Sequence, residues 1–210
     1  MSDSEEELDR LAEMRPPIQD NDARFQVSGW DDDDAGIEDE RNPDVPLEKQ
    51  TLEAAQDGKM ETLVKLLSQD ASLVHTKDKD GYTPLHRACY SNHVEIVRFL
   101  LNSGARHDAE TIDQWQPLHS ACRWNNLDCA EVLISYGADI NATSNGGVTP
   151  LHLAASHKDG KELIQMLLIQ PDLIQNVKDT SGDTPLDIAL RSGYNNSLFE
   201  AFEDCFRSDL

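Results

Sequence analysis

The fold class this sequence predicts is an all-α solenoid. It has about five stacked helix–turn–helix repeats with β-turn tips, preceded by a disordered acidic tail. Three observations predict it. A Pro-Leu pair recurs at Pro84, Pro117, Pro150 and Pro185, at separations of 33, 33 and 35 residues, and a fixed period of this size marks a solenoid. Each pair opens an apolar stretch with helical spacing. The acidic side chains crowd the start: residues 1–50 hold 17 of the 40 in the chain but only five of its 18 Lys and Arg.

The tail, residues 1–45, contains "SEEE", "DDDD" and "EDE". Its apolar residues are sparse and without period, so it buries too little surface to offset the entropy of ordering. Pro43 and Pro46 mark its junction with the repeat domain, 46–210. Three roles fit such a tail: a solubilising extension, an interaction segment for a basic partner, or an acidic–hydrophobic activation segment. Phe25, Val27 and Trp30 beside acids in "FQVSGWDDDD" favour the last more than an all-acid run would.

A net charge of −22 and a pI near 4.4 argue against direct nucleic-acid binding, because phosphates need Lys and Arg. They argue equally against docking on an anionic membrane. "MSDSEEELDR" lacks the apolar segment of a secretory signal, and no apolar run reaches the length of a membrane span. Cys89, Cys122, Cys129 and Cys205 are therefore expected to be reduced, in the cytosol or nucleus. No phosphate loop, nucleophile elbow or H-E-x-x-H is found, so no catalysis and no cofactor are expected.

In chain order, residues 47–79 form a degenerate capping repeat, with Leu52 placed 33 before Leu85 and Ala55 33 before Ala88. In residues 80–109, Asp80-Gly81 is a turn pair. Thr83 is the N-cap and Pro84 follows at N1, where its missing N–H costs nothing. A first helix runs to about Tyr90 and "SNH" breaks it. A second helix puts Val94, Val97, Leu100 and Leu101 on one face, and Gly104 ends it in the left-handed conformation. Residues 113–142 repeat this, closing at Gly137, but with Gln114 at the turn and Gln116 at the cap; this helix should be less well capped. Residues 146–177 restore Thr149 and Pro150, with a two-residue insertion near "HKDGK" or "LIQPD". Residues 181–206 start at Thr184-Pro185, carry Asp187 in place of His and read as a polar C-terminal cap. Such short helices are not stable alone, so each must bury its apolar face against its partner and the next repeat.

The stretches "TPLHRA", "TPLHLA" and "GADIN" resemble the ankyrin repeat, over about residues 46–206. The resemblance implies that His86, His119 and His152 bond across the turns and join neighbouring units. It implies protein partners bound through turn tips and the exposed side of the first helices. Carried over residue by residue, the tips are Asp80, Tyr82, Asp113, Trp115 and Val148. The helix-side positions are Tyr90, Ser91, Arg123, Trp124, Ser156 and His157. Trp, Tyr and Arg dominate binding hot spots; the other reading is that Trp115 and Trp124 only pack on neighbouring repeats. "LISYGADIN" makes Asn141 a candidate for hydroxylation by an oxygen-dependent asparaginyl hydroxylase, against a plain turn former.

The acidic tail and "QPLHSACRWNN" are similar to one ankyrin subfamily, which implies a nuclear factor linked to positive control of transcription; the chain is expected to be a monomer. A cytosolic adaptor or inhibitor that masks an enzyme or client is the alternative.

His86/Cys89 and His119/Cys122 sit at i and i+3, a spacing that suits metal ligands. Ligands, however, must converge at about 2.0–2.3 Å from one ion, whereas stacked helices lie about 8–10 Å apart. Equivalent residues then form a ladder rather than a cage, and no metal is expected.

Overall fold

The Thr-Pro signals place the helix starts. In this computed structural model Thr83, Thr149 and Thr184 stand as N-caps in extended backbone, each immediately before a proline at the first helical position. The structure describes residues 46–199 and 201. The predicted tail 1–45, Cys205 and the end of the predicted fifth repeat lie outside the described residues.

The helices pair along the chain. The first pair is α1 (Leu47–Gln56) and α2 (Met60–Gln69), followed by a 3-10 turn at Ala71–His75. The next pairs are α3 (Pro84–Tyr90) with α4 (Val94–Asn102), and α5 (Pro117–Arg123) with α6 (Leu127–Ser135). Then come α7 (Pro150–Ser156) with α8 (Lys161–Leu168), and finally α9 (Pro185–Ser192). Among the described residues there are helices and turns and no strand. The first helices stack in sequence, α1 on α3, α3 on α5, α5 on α7 and α7 on α9, while the second helices line the other side.

The core is continuous along this stack. Leu63, Leu85, Val97, Leu100, Leu118, Leu133, Leu151, Leu153, Ile164 and Leu167 are fully buried. In α4 the buried set is Ile96, Val97, Leu100 and Leu101, so Ile96 takes the place expected for Val94, which is half-buried. Each buried Leu or Ile stabilises by about 1.5–3 kcal/mol relative to exposure.

Two registers differ from the sequence expectation. The first repeat aligns with the second at 34 residues, not 33. Gly58 (φ 77) stands where Asn92 (φ 58) turns the chain between helices. Lys59 N–H bonds Ala54 O as His93 N–H bonds Ala88 O. A degenerate repeat without the Thr-Pro anchor gives pattern matching no fixed origin, which is why the count slipped by one. In the fourth repeat the two extra residues are divided. Ile164 N–H to Gly160 O answers Ala130 N–H to Asn126 O at 34, so one residue is inserted before α8. Asp179 N–H to Asp183 O answers Ser144 N–H to Val148 O at 35, so the other follows α8.

Candidate functional site

Each turn tip is built by one polar side chain at its base. Asp78 Oδ1 accepts from Asp80 and Tyr82 N–H. Thr111 Oγ1 accepts from Trp115 N–H. Ser144 Oγ accepts from Gly146 and Val148 N–H, and Asp179 Oδ1 from Ser181 and Asp183 N–H. Successive tips are joined through backbone: Ile112 N–H to Asp80 O at 2.9 Å, Asn145 N–H to Asp113 O at 3.0 Å and Thr180 N–H to Gly146 O at 2.9 Å.

The histidines join the tips to the helices. His86 Nε2 lies 3.0 Å from Trp115 O, His119 Nε2 3.1 Å from Val148 O and His152 Nε2 3.2 Å from Asp183 O. A carbonyl only accepts, so Nε2 carries the proton, and Nδ1 accepts from the N-cap amide of its own helix. Those amides are Thr83, Gln116 and Thr149 N–H. All three rings are buried. Burial pushes His86 and His119 down to about 4, against the carbonyl bonds that raise them, and pushes His152 down too. The rings are therefore neutral links between repeats. Among the described residues no group of three or more His, Cys, Asp or Glu is placed to hold a metal ion.

The tip residues carried over from the sequence divide into two sets. Asp113 is exposed and Asp80 half-buried. Tyr82, Trp115 and Val148 are only 4%, 8% and 8% exposed, so their expected place on an accessible tip is corrected. They lie on the returning leg of the turn, where the side chain folds inward. Tyr82 meets the His86 ring edge-on at 5.6 Å and Trp115 lies over His119 at 5.9 Å. Packing is the reading that fits Trp115. The apolar side chain that does project at a tip is Ile112, 67% exposed. Sequence reading missed it; the turn pattern of "TIDQW" around Thr111 was the available signal.

The helix-side residues converge. Tyr90, Arg123 and Ser156 are the last residues of α3, α5 and α7, and Ser91, Trp124 and His157 are their C-caps. The 33-residue period therefore brings them into two adjacent rows. Tyr90 meets the Trp124 ring edge-on, with centroids 4.8 Å apart at 79°, a favoured aromatic geometry. The Arg123 guanidinium sits 5.6 Å from the same ring's centroid, within cation–π reach. His157 is pushed down by partial burial, with Arg123 nearby acting in the same direction against Asp159. All six residues are half-buried. They form one open patch across three repeats.

Side chains the sequence reading passed over hold this patch. Asn126 Nδ2 donates to Cys89 O at 2.7 Å and to Tyr90 O at 2.9 Å, closing the end of α3. Asn195 Nδ2 does the same for His157 O at 3.0 Å. Arg87 donates to Gln56 Oε1 at 2.5 Å and Asp78 Oδ2 at 2.8 Å. The asparagine bonds and the Arg87–Gln56 bond each reach back about one period, 31 to 38 residues, and for the asparagines the signal was the Asn-Asn pair that follows α5 and α9.

Asn141 joins two loops. Its Nδ2 donates to Asp172 O and its Oδ1 accepts from Ile174 N–H, each at 2.8 Å. A separate cleft of about 590 Å³ opens beside Lys77, Arg106, Asp108, Glu110 and Gln116. Its cations are bonded within it, Lys77 to Glu110 O and Arg106 to Asp108.

Two family models match, one for ankyrin repeats (3 copies) over residues 52–144 and one for ankyrin repeats (many copies) over residues 133–189. Ankyrin repeat domain-containing protein 49 of Bos taurus is 55% identical over 157 residues, 75% of this chain and 66% of that protein. Its Mus musculus counterpart is 51% identical over 160 residues, 76% and 67% of the two chains. The chain thus spans about two thirds of the length of these relatives. Protein phosphatase 1 regulatory subunit 27 of Mus musculus is 41% identical over 61 residues, 29% of this chain and 39% of that protein. Period, tip architecture, histidine ladder and these likenesses agree: the chain belongs to the ankyrin-repeat family, whose repeats are protein–protein interaction modules.

Proposed function

We propose that this chain is a non-enzymatic, monomeric binding module whose partner protein sits on the Tyr90–Arg123–Trp124–His157 patch. The observation that carries this is the half-open aromatic–guanidinium contact that joins the second and third repeats. Trp, Tyr and Arg grouped at one place are the side chains that dominate binding energy. Exposed Ile112 and Asp113 extend the surface along the tips. The subfamily resemblance supports a nuclear site of action and positive control of transcription through the bound partner. The likeness to a phosphatase regulatory subunit supports the second reading, a cytosolic adaptor that binds an enzyme. Asn141 remains a candidate for hydroxylation in an opened loop, since both ends of its amide are bound in the closed one.

The test is affinity capture from extract with the full chain and with Trp124→Ala. The expected result is unchanged melting and at least a tenfold loss of specific partners, which then identify themselves as nuclear or cytosolic. Undiminished capture by the folded variant would move binding off this patch.

A further inference from the structure

The loops that follow α6 and α8 gather exposed apolar side chains. Tyr136 is the C-cap of α6 and Ile169 the C-cap of α8, and Ile174 follows in the second loop. They are 39%, 65% and 58% exposed. Scattered exposed apolar residues are ordinary. Here three of the eight large ones among the described residues fall on one pair of loops, and such grouping marks a contact surface. Asn141 holds the two loops together. Its N–H donates to Asp139 Oδ1, its Nδ2 donates to Asp172 O, and its Oδ1 accepts from Ile174 N–H, each at 2.8 Å. The Tyr136 hydroxyl donates to Asn102 Oδ1 at 2.8 Å, which ties the ring back to the end of α4. The second helices pack in order, α4 on α6 and α6 on α8. The exposed side chains therefore form a ridge along the stack that is ordered before any partner arrives, which lowers the cost of binding. The chain turns between α5 and α6 at Asn125, so α6 runs away from Trp124 and the ridge lies at the other end of the helix pairs. Asp139 and Asp172 are exposed beside it. Neither carboxylate has an ion pair among the described residues.

We propose that this ridge is a second docking surface and that its occupant is a basic amphipathic helix of a partner protein. The helix lays its apolar face on Tyr136, Ile169 and Ile174, and its flanking Lys or Arg side chains reach Asp139 and Asp172. Charge selects the flanks. Two unpaired carboxylates border the apolar centre, and a chain of net charge −22 draws a basic segment while repelling a second copy of itself. Spacing selects the conformation. Stacked helices lie about 8–10 Å apart, and residues i and i+7 on one face of a helix lie about 10 Å apart. Residues on one face of a strand fall about 7 and 13 Å apart, out of step with the stack. A helix lying along the ridge therefore meets successive loops with successive turns of one apolar stripe, the mode in which an amphipathic helix is read through its i, i+3, i+4 and i+7 anchors.

The experiment measures fluorescence anisotropy of a labelled helical peptide of Leu and Lys, about 18 residues long, titrated with the full chain. Its leucines stand at i, i+3, i+4 and i+7. A second peptide of the same composition has its leucines spread around the helix, so it reports attraction to the acidic chain alone. The amphipathic peptide should bind at least about tenfold more tightly than the scrambled one. The double variant Ile169→Ser/Ile174→Ser should melt as the parent does, because both side chains are exposed, and should lose that advantage. Asp139→Asn/Asp172→Asn, in which an amide oxygen can still accept from Asn141 N–H, should weaken the amphipathic peptide and flatten its salt dependence. Trp124→Ala should leave binding unchanged, which separates this ridge from the patch under Proposed function. Equal binding of the two peptides, or undiminished preference in the folded isoleucine variant, would overturn the proposal. So would loss of the preference in Trp124→Ala, or a dimer of the chain that forms through the ridge without peptide.

Discussion

The second and third repeats share one backbone but are built from different local chemistry. Gly81 turns the second tip at φ 89, whereas Gln114 turns the third at φ 60. Thr83 Oγ1 contacts both the backbone and the ring of His86, whereas Gln116 Oε1 is buried and bonded to nothing. The tip closes all the same, with Asp78 N–H to Tyr82 O and Thr111 N–H to Trp115 O both at 3.0 Å. The third tip is bonded on both sides, to Asp80 O before it and from Asn145 N–H after it. A repeat with poor local signals is thus folded by its neighbours, the behaviour expected where stability is a sum of intrinsic and interface contributions.

Acid should break both repeats together. His86 and His119 hold values near 4 when folded and about 6.5 when unfolded. The unfolded chain therefore binds protons that the native rings reject. Stability is complete above pH 6.5 and falls as the pH drops toward 4, by up to about 3 kcal/mol for each fully buried ring. Urea titrations at pH 7, 5.5 and 4.5 check this; a flat midpoint across that window would mean the rings are not buried neutral links.

His119→Ala against His86→Ala is the sharper probe. Each leaves a carbonyl and an N-cap amide without their ring partner, costing about 2–4 kcal/mol. The second repeat keeps its Thr83 hydroxyl on the helix amide; the third has no substitute. His119→Ala should therefore lose about 1 kcal/mol more in denaturant unfolding. Equal losses would show that the cap contributes nothing.

This contrast also shows what was legible in the sequence. Helix starts were readable because Thr-Pro fixes them chemically, and the weak cap at Gln116 was readable for the same reason. The first-repeat register was not, since Leu52 and Ala55 match an apolar pattern equally well at 33 or 34. Nor was the fate of Trp115. Its position along the tip was known, but which way the returning leg faces depends on His119 and Val148 of two other segments. Tyr90, Arg123 and Trp124 could be placed in neighbouring rows by period alone; the edge-on ring geometry between them is a product of packing.

The two turn residues offer opposite substitutions. At Gly81 an added Cβ would lie 3.0 Å from Thr111 Cα and 3.1 Å from Ile112 N. Backbone of the next tip cannot yield cheaply, so Gly81→Ala should destabilise by about 2 kcal/mol, strain included. Gln114 already carries a side chain in the left-handed region, at a cost of about 1 kcal/mol. Gln114→Gly should raise stability by up to that amount, less the freedom glycine gains in the unfolded chain. Paired melting curves decide it. A stabilising Gly81→Ala or a strongly destabilising Gln114→Gly would mean that the neighbours do not fix the tip backbone.

Gln116→Thr should produce the smallest change, because it restores a hydroxyl to a helix whose other contacts are already made. The gain is the difference between a capped and an uncapped amide plus relief of the buried Oε1, about 1 kcal/mol together. The loss is the packing of the longer Gln116 side chain along the cleft beside Arg106 and Glu110. The two oppose each other, so the sign is informative. A stabilised variant whose His119→Ala penalty falls to that of His86→Ala would show that one hydroxyl accounts for the difference between the repeats. A destabilised variant would assign Gln116 to the cleft wall, with its place at the helix start secondary.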